Sequence, residues 1–388
     1  MRPMIDAVAA VGDVADARCW SGLPYHCLQA ARRLGWETKP WRLHLEGYVW
    51  PRRLWNLRQA ALLRGVGGYQ TSLSFLDRAE RDFMPGLSGR RVLSFHHQFP
   101  RASSVRRAGG RVVYYLDATL GSLLDGHGLE LRLPRHAAAS SLATERENLD
   151  GAEHVFVMAR WLRDYLLERR LVRPERLSVV MPGANLDVPE SWSPPEPPVR
   201  KAGRPFILGL VGNDWERKGL PLLIQVARKM RLSGADVRIR VVGRCPADID
   251  PSTTDVVGPI DKRTDLARFI EAVAGCDVGC LFSKREALGV SVLEFLRVGV
   301  PVAGFAHEGP ADTLPADAGL RFSPGSDAEA VTAGLLAYVR DVGRRAESRA
   351  AALRWSGRVT WERSLREIAG VLGEGPREAP LEPWAARA

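Results

Sequence analysis

Residues 276–305 read CDVGCLFSKREALGVSVLEFLRVGVPVAGF. Val278 to Phe282 is a short apolar run without strict alternation, the pattern of a parallel strand covered on both faces. It ends in the polar turn Ser283-Lys284-Arg285, followed by Glu286 and Gly289. Apolar residues at helical spacing predict a helix over about Val290–Val298. Gly299 terminates that helix, and Pro301 belongs to the next strand, Val300–Phe305. The stretch is a strand–helix–strand unit of a parallel sheet.

Working outward, the same alternation recurs. Strands are expected at Val92–Phe95, Arg111–Leu116, His154–Met158 and Leu177–Met181, then at Phe206–Val211 and Val237–Val242. Amphipathic helices are expected at Arg160–Arg170, Leu220–Leu232 and Ala328–Arg340. Two batches of alternating strands and helices imply α/β architecture with two Rossmann-like, doubly wound domains. Residues 187–204, DVPESWSPPEPPVRKAGR, are too rich in proline for a helix or central strand. They are expected to link a first domain, 1–186, to a second, 205–355. Residues 356–388 are expected to form a helix and tail returning to the first domain.

Composition narrows the function classes. With 388 residues, 45% hydrophobic and 26% charged, the chain can bury one or two sizeable cores. Its net charge is +10, and only six of its 55 basic residues are Lys. Arginine grips phosphate in a bidentate way, so the excess suits nucleotide diphosphates, anionic lipid headgroups or nucleic acid. A GC-rich genome would enrich Arg equally well. The five cysteines, Cys19, Cys27, Cys245, Cys276 and Cys280, contain no CxxC pair and fit reduced, mostly buried thiols. The N-terminus lacks a long apolar region, and no run of 18 apolar residues occurs. A cytoplasmic protein, or one peripheral to the inner face of the plasma membrane, is expected.

A ligand belongs at the C-terminal end of the Val278–Phe282 strand. The start of the following helix presents unpaired N–H groups and the positive end of a dipole, which suit phosphate. Gly289 permits close backbone approach. Glu286 and Glu294 could accept hydrogen bonds from sugar or ribose hydroxyls. The same spacing also fits an ordinary βαβ unit with two surface glutamates. A second stretch, LGLVGNDWERKGLPLLI at 208–224, runs from a buried strand through Gly212 and a polar loop to Lys218-Gly219 and a helix. A lysine there could neutralise a diphosphate leaving group, or stand in solvent at a helix start.

Taken together, Ser283, Glu286, Gly289, Glu294, Gly299 and Pro301 resemble the retaining GT-B glycosyltransferases of the family 4 type (glycosyl transferases group 1). That family carries S-x-x-E-x-x-G, a second Glu eight residues after the first, and then G-x-P. The resemblance implies that Glu286 lies by the donor sugar hydroxyls and Glu294 binds the ribose. It also implies that backbone amides near Leu288, Gly289 and Val290 meet the sugar and diphosphate. The family's G-R-x(4)-K-G is matched at Gly212, Lys218 and Gly219, but Asn213 replaces the arginine. Arg217 could restore that charge, though it would point elsewhere if Lys218 points inward. RLSVVMPGAN at 176–185, His307-Glu308-Gly309-Pro310 and AGLRFSPGSDAEAV at 318–331 extend the resemblance, which covers about 140–345 well.

The first 140 residues match less. CWSGLPYHCLQAARRLGWE at 19–37 resembles the family's N-terminal glycine loop, which would set Trp20, Ser21 and Gly22 towards phosphates and acceptor; Ser-Gly before a helix is also often a simple N-cap. Each of SFHHQFPR at 94–101 and VVYYLDATL at 112–120 is a strand ending in polar groups. The family usually places a His after the second, where this chain has Asp117. Asp117 could replace it and accept a hydroxyl proton, His96 or His97 could reach in, or Asp117 could be a structural cap. WPRRLWNLRQAALLRG at 50–65 is basic, aromatic and expected to be helical, fit for an anionic membrane, an acceptor groove or an ordinary surface.

The resemblance therefore implies a GT-B fold with an interdomain cleft and transfer of a sugar from a nucleotide-sugar donor to an acceptor hydroxyl with retention, in bacterial glycan or glycoconjugate synthesis. No cofactor and no essential metal are implied, and no DxD motif for a diphosphate-bound metal stands out. An epimerase or sugar phosphorylase on the same fold needs an acid/base pair or a cofactor-bearing lysine. Only Lys218 of six lysines sits at a loop-to-helix turn, which disfavours the phosphorylase. The absence of GxGxxG after the strands argues against a nicotinamide oxidoreductase. Basic residues spread along the chain, with no reader module, argue against a nucleic-acid partner.

Overall fold

The computed structural model describes residues 4–62, 66–127, 133–196 and 203–373. The chain forms two compact units. One comprises the chain through Met181 together with the segment from Ser364; the other runs from Pro182 to Arg363.

The first unit has strands β1 (Ala7–Ala9), β2 (Lys39–Pro40), β3 (Arg91–Ser94), β4 (Arg111–Leu116), β5 (His154–Val157) and β6 (Leu177–Val179). They form one parallel sheet in the order β2-β1-β3-β4-β5-β6. Its helices are α1 (Leu23–Arg33), α2 (Val49–Ala61), α3 (Leu73–Phe83), α4 (Ala102–Arg107), α5 (Leu120–Leu124), α6 (Arg135–Gly151) and α7 (Arg160–Glu168). Val92, Val112, Tyr114, Val155 and Val157 from the sheet pack with Phe75, Leu76 and Leu162 from the helices. The buried Tyr114 hydroxyl is not orphaned; it donates to the Pro100 carbonyl at 2.6 Å.

The second unit has β7 (Phe206–Val211), β8 (Val237–Val242), β9 (Thr254–Val256), β10 (Val278–Leu281), β11 (Val302–Phe305) and β12 (Gly319–Phe322), with helices α8 (Leu220–Leu232), α9 (Leu266–Ala274), α10 (Val290–Arg297), α11 (Pro310–Thr313), α12 (Ala328–Arg340) and α13 (Val342–Ser356). Helix α14 (Trp361–Val371) closes the described chain. The sheet is again parallel, ordered β12-β11-β10-β7-β8-β9. Read from β7, this is the Rossmann order, while the first sheet opens in the flavodoxin order. In each sheet the chain starts centrally and winds both ways. The resulting switch points lie between β1 and β3 and between β7 and β10, where crevices form at the strand C-termini.

Helix α10 sits unusually low on its sheet. A Cβ on Gly279 would lie 2.3 Å from the Phe295 ring, and one on Gly209 would lie 3.0 Å from it. These two glycines in β10 and β7 leave the space that Phe295 occupies.

Several elements differ from the sequence expectation. β1, β2, β9 and β12 are added; all are short, and their few residues carry little periodicity. The described part of the Pro-rich stretch is not a free tether. Arg297 donates to the Pro189 carbonyl at 2.8 Å, and its guanidinium lies 5.2 Å from the Trp192 ring centroid. A buried guanidinium needs acceptors, and this backbone supplies them.

Candidate functional site

The loops after β7 and β10 meet at the second switch point. Lys218 projects back from the start of α8, and its stem crosses Gly212, where a Cβ would come 3.0 Å from Lys218 Cε. Gly219, at φ 86°, packs so closely on the end of β10 that a Cβ would lie 2.6 Å from the Phe282 carbonyl oxygen. The Phe282 N–H donates to the Lys218 carbonyl at 3.3 Å, joining the two loops.

Glu286 is the hub. Its Oε2 accepts from Arg217 Nη1 at 2.8 Å, from Lys218 Nζ at 3.1 Å and from Ser283 Oγ at 3.2 Å. Burial alone would raise the Glu286 pKa; the charges of Lys218 and Arg217 outweigh it and hold the carboxyl below its usual range. Arg217 therefore does not point elsewhere, as expected if Lys218 points inward. Both cations reach one carboxylate oxygen, because the turn from Asp214 presents consecutive side chains around the same acceptor, and Asp214 itself holds Arg217 at 2.9 Å. Asn213, at the position of the family's arginine, is exposed.

A further layer comes from the loop after β11. Glu308 accepts the Glu286 backbone N–H at 2.9 Å, and its own φ is 46°. A ring nitrogen of His307, Nε2, lies 2.8 Å from the Ser283 carbonyl. Gly309 fits under the loop, where a Cβ would meet the Ala287 carbonyl at 2.2 Å. Leu288 is tied down by Thr313, whose hydroxyl donates to its carbonyl at 3.1 Å. Gly289, at φ 83°, begins α10 at Val290, and no side chain caps that start. Its first amides consequently have no partner within the helix.

Glu294 lies deeper in α10 and does not join the Glu286 cluster. It is 4% exposed, and its Oε1 accepts from Lys262 at 2.5 Å. Lys262 also donates to the Asn185 carbonyl at 2.9 Å. The sequence reading overlooked Lys262 and gave His307 and Glu308 no specific role. Lys262 lies between β9 and α9 in a stretch with neither periodicity nor a recognised motif. His307 and Glu308 carried a positional signal through the glycine-rich turn.

The first unit's loops show different chemistry. Trp20 and Ser21 adopt left-handed φ of 48° and 56°, followed by Gly22 at 84°. Left-handed residues other than glycine cost on the order of 1–3 kcal/mol each and concentrate at functional turns. The Trp20 indole donates to the Val11 carbonyl at 2.9 Å and meets the His96 ring edge-on, with centroids 5.0 Å apart. His96 in turn stacks on His97 at 4.7 Å. His96 Nδ1 accepts from the Gln98 N–H at 3.1 Å. Burial, with the neighbouring His97, pushes the His96 pKa well below the usual histidine range. His97 Nδ1 lies 2.8 Å from Glu145 Oε2. Glu145 also accepts the backbone N–H groups of Leu120 and Gly121 at 2.5 and 3.0 Å.

Asp117 directly follows β4 and is half-buried. It is not the cap of the next helix: Thr119 and Ser122 form that capping box. Thus Trp20, Ser21 and Gly22 follow β1, His96 and His97 follow β3, and Asp117 follows β4, all at the C-terminal edge of one sheet.

Two parallel Rossmann-like sheets, with polar loops at both switch points, define the GT-B class of fold. Solved structures agree. Sucrose-phosphate synthase from Thermosynechococcus elongatus superposes with a TM-score of 0.67 at 14% identity, over 96% of this chain and 99% of that one. HepE of Anabaena, in complex with UDP and glucose, gives 0.64 at 13% identity, over 95% and 99%. At such identities the likeness is one of fold. Residues 205–341 match the family described as glycosyl transferases group 1. A glycogen synthase of Halorhodospira halophila is 35% identical over 116 residues, 28% of this chain and 24% of that protein's length.

Proposed function

We propose that this protein transfers a sugar from a nucleotide-sugar donor to an acceptor hydroxyl with retention at the anomeric carbon. The observation that carries the reading is the convergence of Arg217, Lys218 and Ser283 on one oxygen of Glu286, beside the uncapped start of α10. Among the described residues, all three side-chain donors take Oε2, leaving Oε1 to a donor sugar hydroxyl. Glu294 repeats the arrangement: Lys262 takes Oε1, and Oε2 is left for a ribose hydroxyl.

In this reading the donor diphosphate lies against the amides of Leu288, Gly289 and Val290, with Gly212 and Asn213 lining the approach. As the glycosidic bond breaks, the departing oxygen gains charge, which Lys218, Arg217 and the helix dipole stabilise. No metal is essential to that step. The acceptor hydroxyl attacks from the side the diphosphate leaves, and its proton can pass to the departing phosphate oxygen. The strained Trp20-Ser21-Gly22 turn and His96, His97 and Asp117 make the acceptor-side set, with Asp117 orienting the hydroxyl. The binding of UDP or UDP-glucose by HepE supports a nucleotide-sugar donor for this chain.

The test is a thermal-shift screen against UDP, GDP, ADP and their sugars, repeated with Glu294→Ala, followed by NMR of the product anomer. Stabilisation by one nucleotide class, reduced in the variant, and retained configuration are expected. An inverted anomer would overturn retention, and no stabilisation by any nucleotide would overturn the donor assignment.

A cytoplasmic site of action in glycan synthesis, with peripheral contact to anionic membrane, completes the proposal. No described helix is long and apolar enough to cross a membrane. Trp50, Leu54 and Leu57 on α2 are 70%, 65% and 67% exposed, beside Arg53 and Arg58. Vesicles containing anionic lipid should retain the protein in sedimentation; equal behaviour of a triple Ala variant at these apolar positions would remove the membrane contact.

A further inference from the structure

At the opposite, N-terminal edge of the second sheet, a cavity of about 210 Å³ opens beneath β7, β10 and β11. Phe206, Asp277 and Pro301 line it at the strand starts, and Arg345 and Arg349 line it from α13, with Arg204 beside them. Among the described residues, three guanidinium groups therefore share a small space with one carboxylate.

The arginines are not equally occupied. Arg204 Nη2 donates to the Gly275 carbonyl at 2.7 Å and stands 3.9 Å from Asp277. Arg345 donates to the Val339 carbonyl. Arg349 differs: its Nε and Nη2 are buried and reach no acceptor among the described residues. Asp277, the counter-charge, spends Oδ2 on the Ile207 N–H at 2.8 Å. Burial pulls the Arg349 pKa below the usual arginine value, and Asp277 only partly opposes this. A guanidinium with two buried nitrogens that reach no acceptor is costly, and replacing it with an apolar side chain ought to relieve the structure. Nothing in the donor reading uses this cavity, which lies at the other end of the same strands.

We propose that this cavity is a second binding site, for a phosphate or phosphomonoester group, gripped by Arg345 and Arg349 with Arg204 at its rim. Two adjacent planar forks match the oxygens of a dianionic phosphate, and charge-assisted hydrogen bonds of this kind are the strong ones. The volume admits the phosphate and a small organic substituent, and excludes a nucleotide diphosphate with its base and ribose.

The experiment is calorimetric titration of the full chain with inorganic phosphate and, separately, glycerol phosphate at fixed ionic strength. Arg349→Met, Arg345→Gln and Lys218→Met are compared. A single phosphate site is expected, weakened about tenfold or more in each arginine variant and kept in Lys218→Met. Tighter binding of glycerol phosphate than of inorganic phosphate would assign the site to a monoester; equal or weaker binding would assign it to the free ion. Without added phosphate, Arg349→Met should melt no lower than the parent, since it removes buried nitrogens that reach no acceptor. Loss of binding only in Lys218→Met would place the phosphate at the Glu286 cluster and overturn the proposal. Phosphate affinity unchanged in both arginine variants, or no binding at millimolar phosphate, would overturn it too. Should Arg349→Met not fold, Arg345→Gln carries the same comparison.

Discussion

The two switch points of this molecule occupy equivalent places in their sheets and are built from opposite materials. At β7 and β10, Arg217, Lys218, Glu286 and Glu308 make a dense set of charges. At β1 and β3, the rings of Trp20, His96 and His97 pack together, and burial holds the His96 pKa well below the usual histidine range. Fixed charges suit a step in which phosphate gains negative charge. Aromatic rings and the Asp117 carboxylate suit the recognition of an uncharged hydroxyl compound. The topology sets where a ligand sits, and the loops set what kind it is.

The sharpest way to break this contrast is at the charged side. Lys218→Met should lower kcat about 10²- to 10³-fold, as expected of one lost stabiliser of developing charge; full activity would remove the leaving-group role. Glu294→Ala should weaken nucleotide binding about tenfold to a hundredfold while kcat changes little, because the proposed ribose contact would be made equally before and during reaction. A fall in kcat with unchanged nucleotide affinity would move Glu294 to the reacting centre. On the other side, Asp117→Asn should raise the acceptor KM about tenfold and leave nucleotide-induced stabilisation intact. A loss beyond about 10³-fold in kcat would make Asp117 a true base and erase the contrast.

The smallest expected effect is in acid. His96 binds its proton less readily folded than unfolded, where the value is about 6.5. Below that pH the unfolded chain takes up more protons, so the first unit loses stability as pH falls. Glu286 is depressed instead, so its contribution is complete above the ordinary carboxylate range and is lost only as pH falls through its lower, folded value. Hydrogen exchange should show the first unit opening at higher pH than the second, and His96→Phe should narrow the gap. Simultaneous opening in the parent would refute this ordering.

How much could be read from the chain follows the same divide. Phe206–Val211, Val237–Val242, Arg111–Leu116, Leu220–Leu232 and Ala328–Arg340 have the bounds their patterns imply, since long buried runs and full helical turns leave strong periodicity. β1 escaped reading because three small residues, Ala-Val-Ala, carry almost none. The spacing of Glu286 and Glu294 was legible as a motif, and their different settings were not. Lys262 meets Glu294 across 32 positions, a pairing that the fold creates and sequence neighbours do not show. The direction of Arg217 was likewise a matter of turn geometry, which adjacent letters do not encode.

The ring of Phe295, seated over Gly209 and Gly279, works like a tenon in a mortise. It fixes the height at which α10 leaves the sheet, and with it the reach of the amides at Gly289. A single methyl group at residue 279, buried beneath the helix, would jack it upward and, at the proposed donor site, blunt nucleotide affinity from beneath. The tightness of the joint thereby becomes part of the recognition, though no atom of it need ever meet the bound molecule.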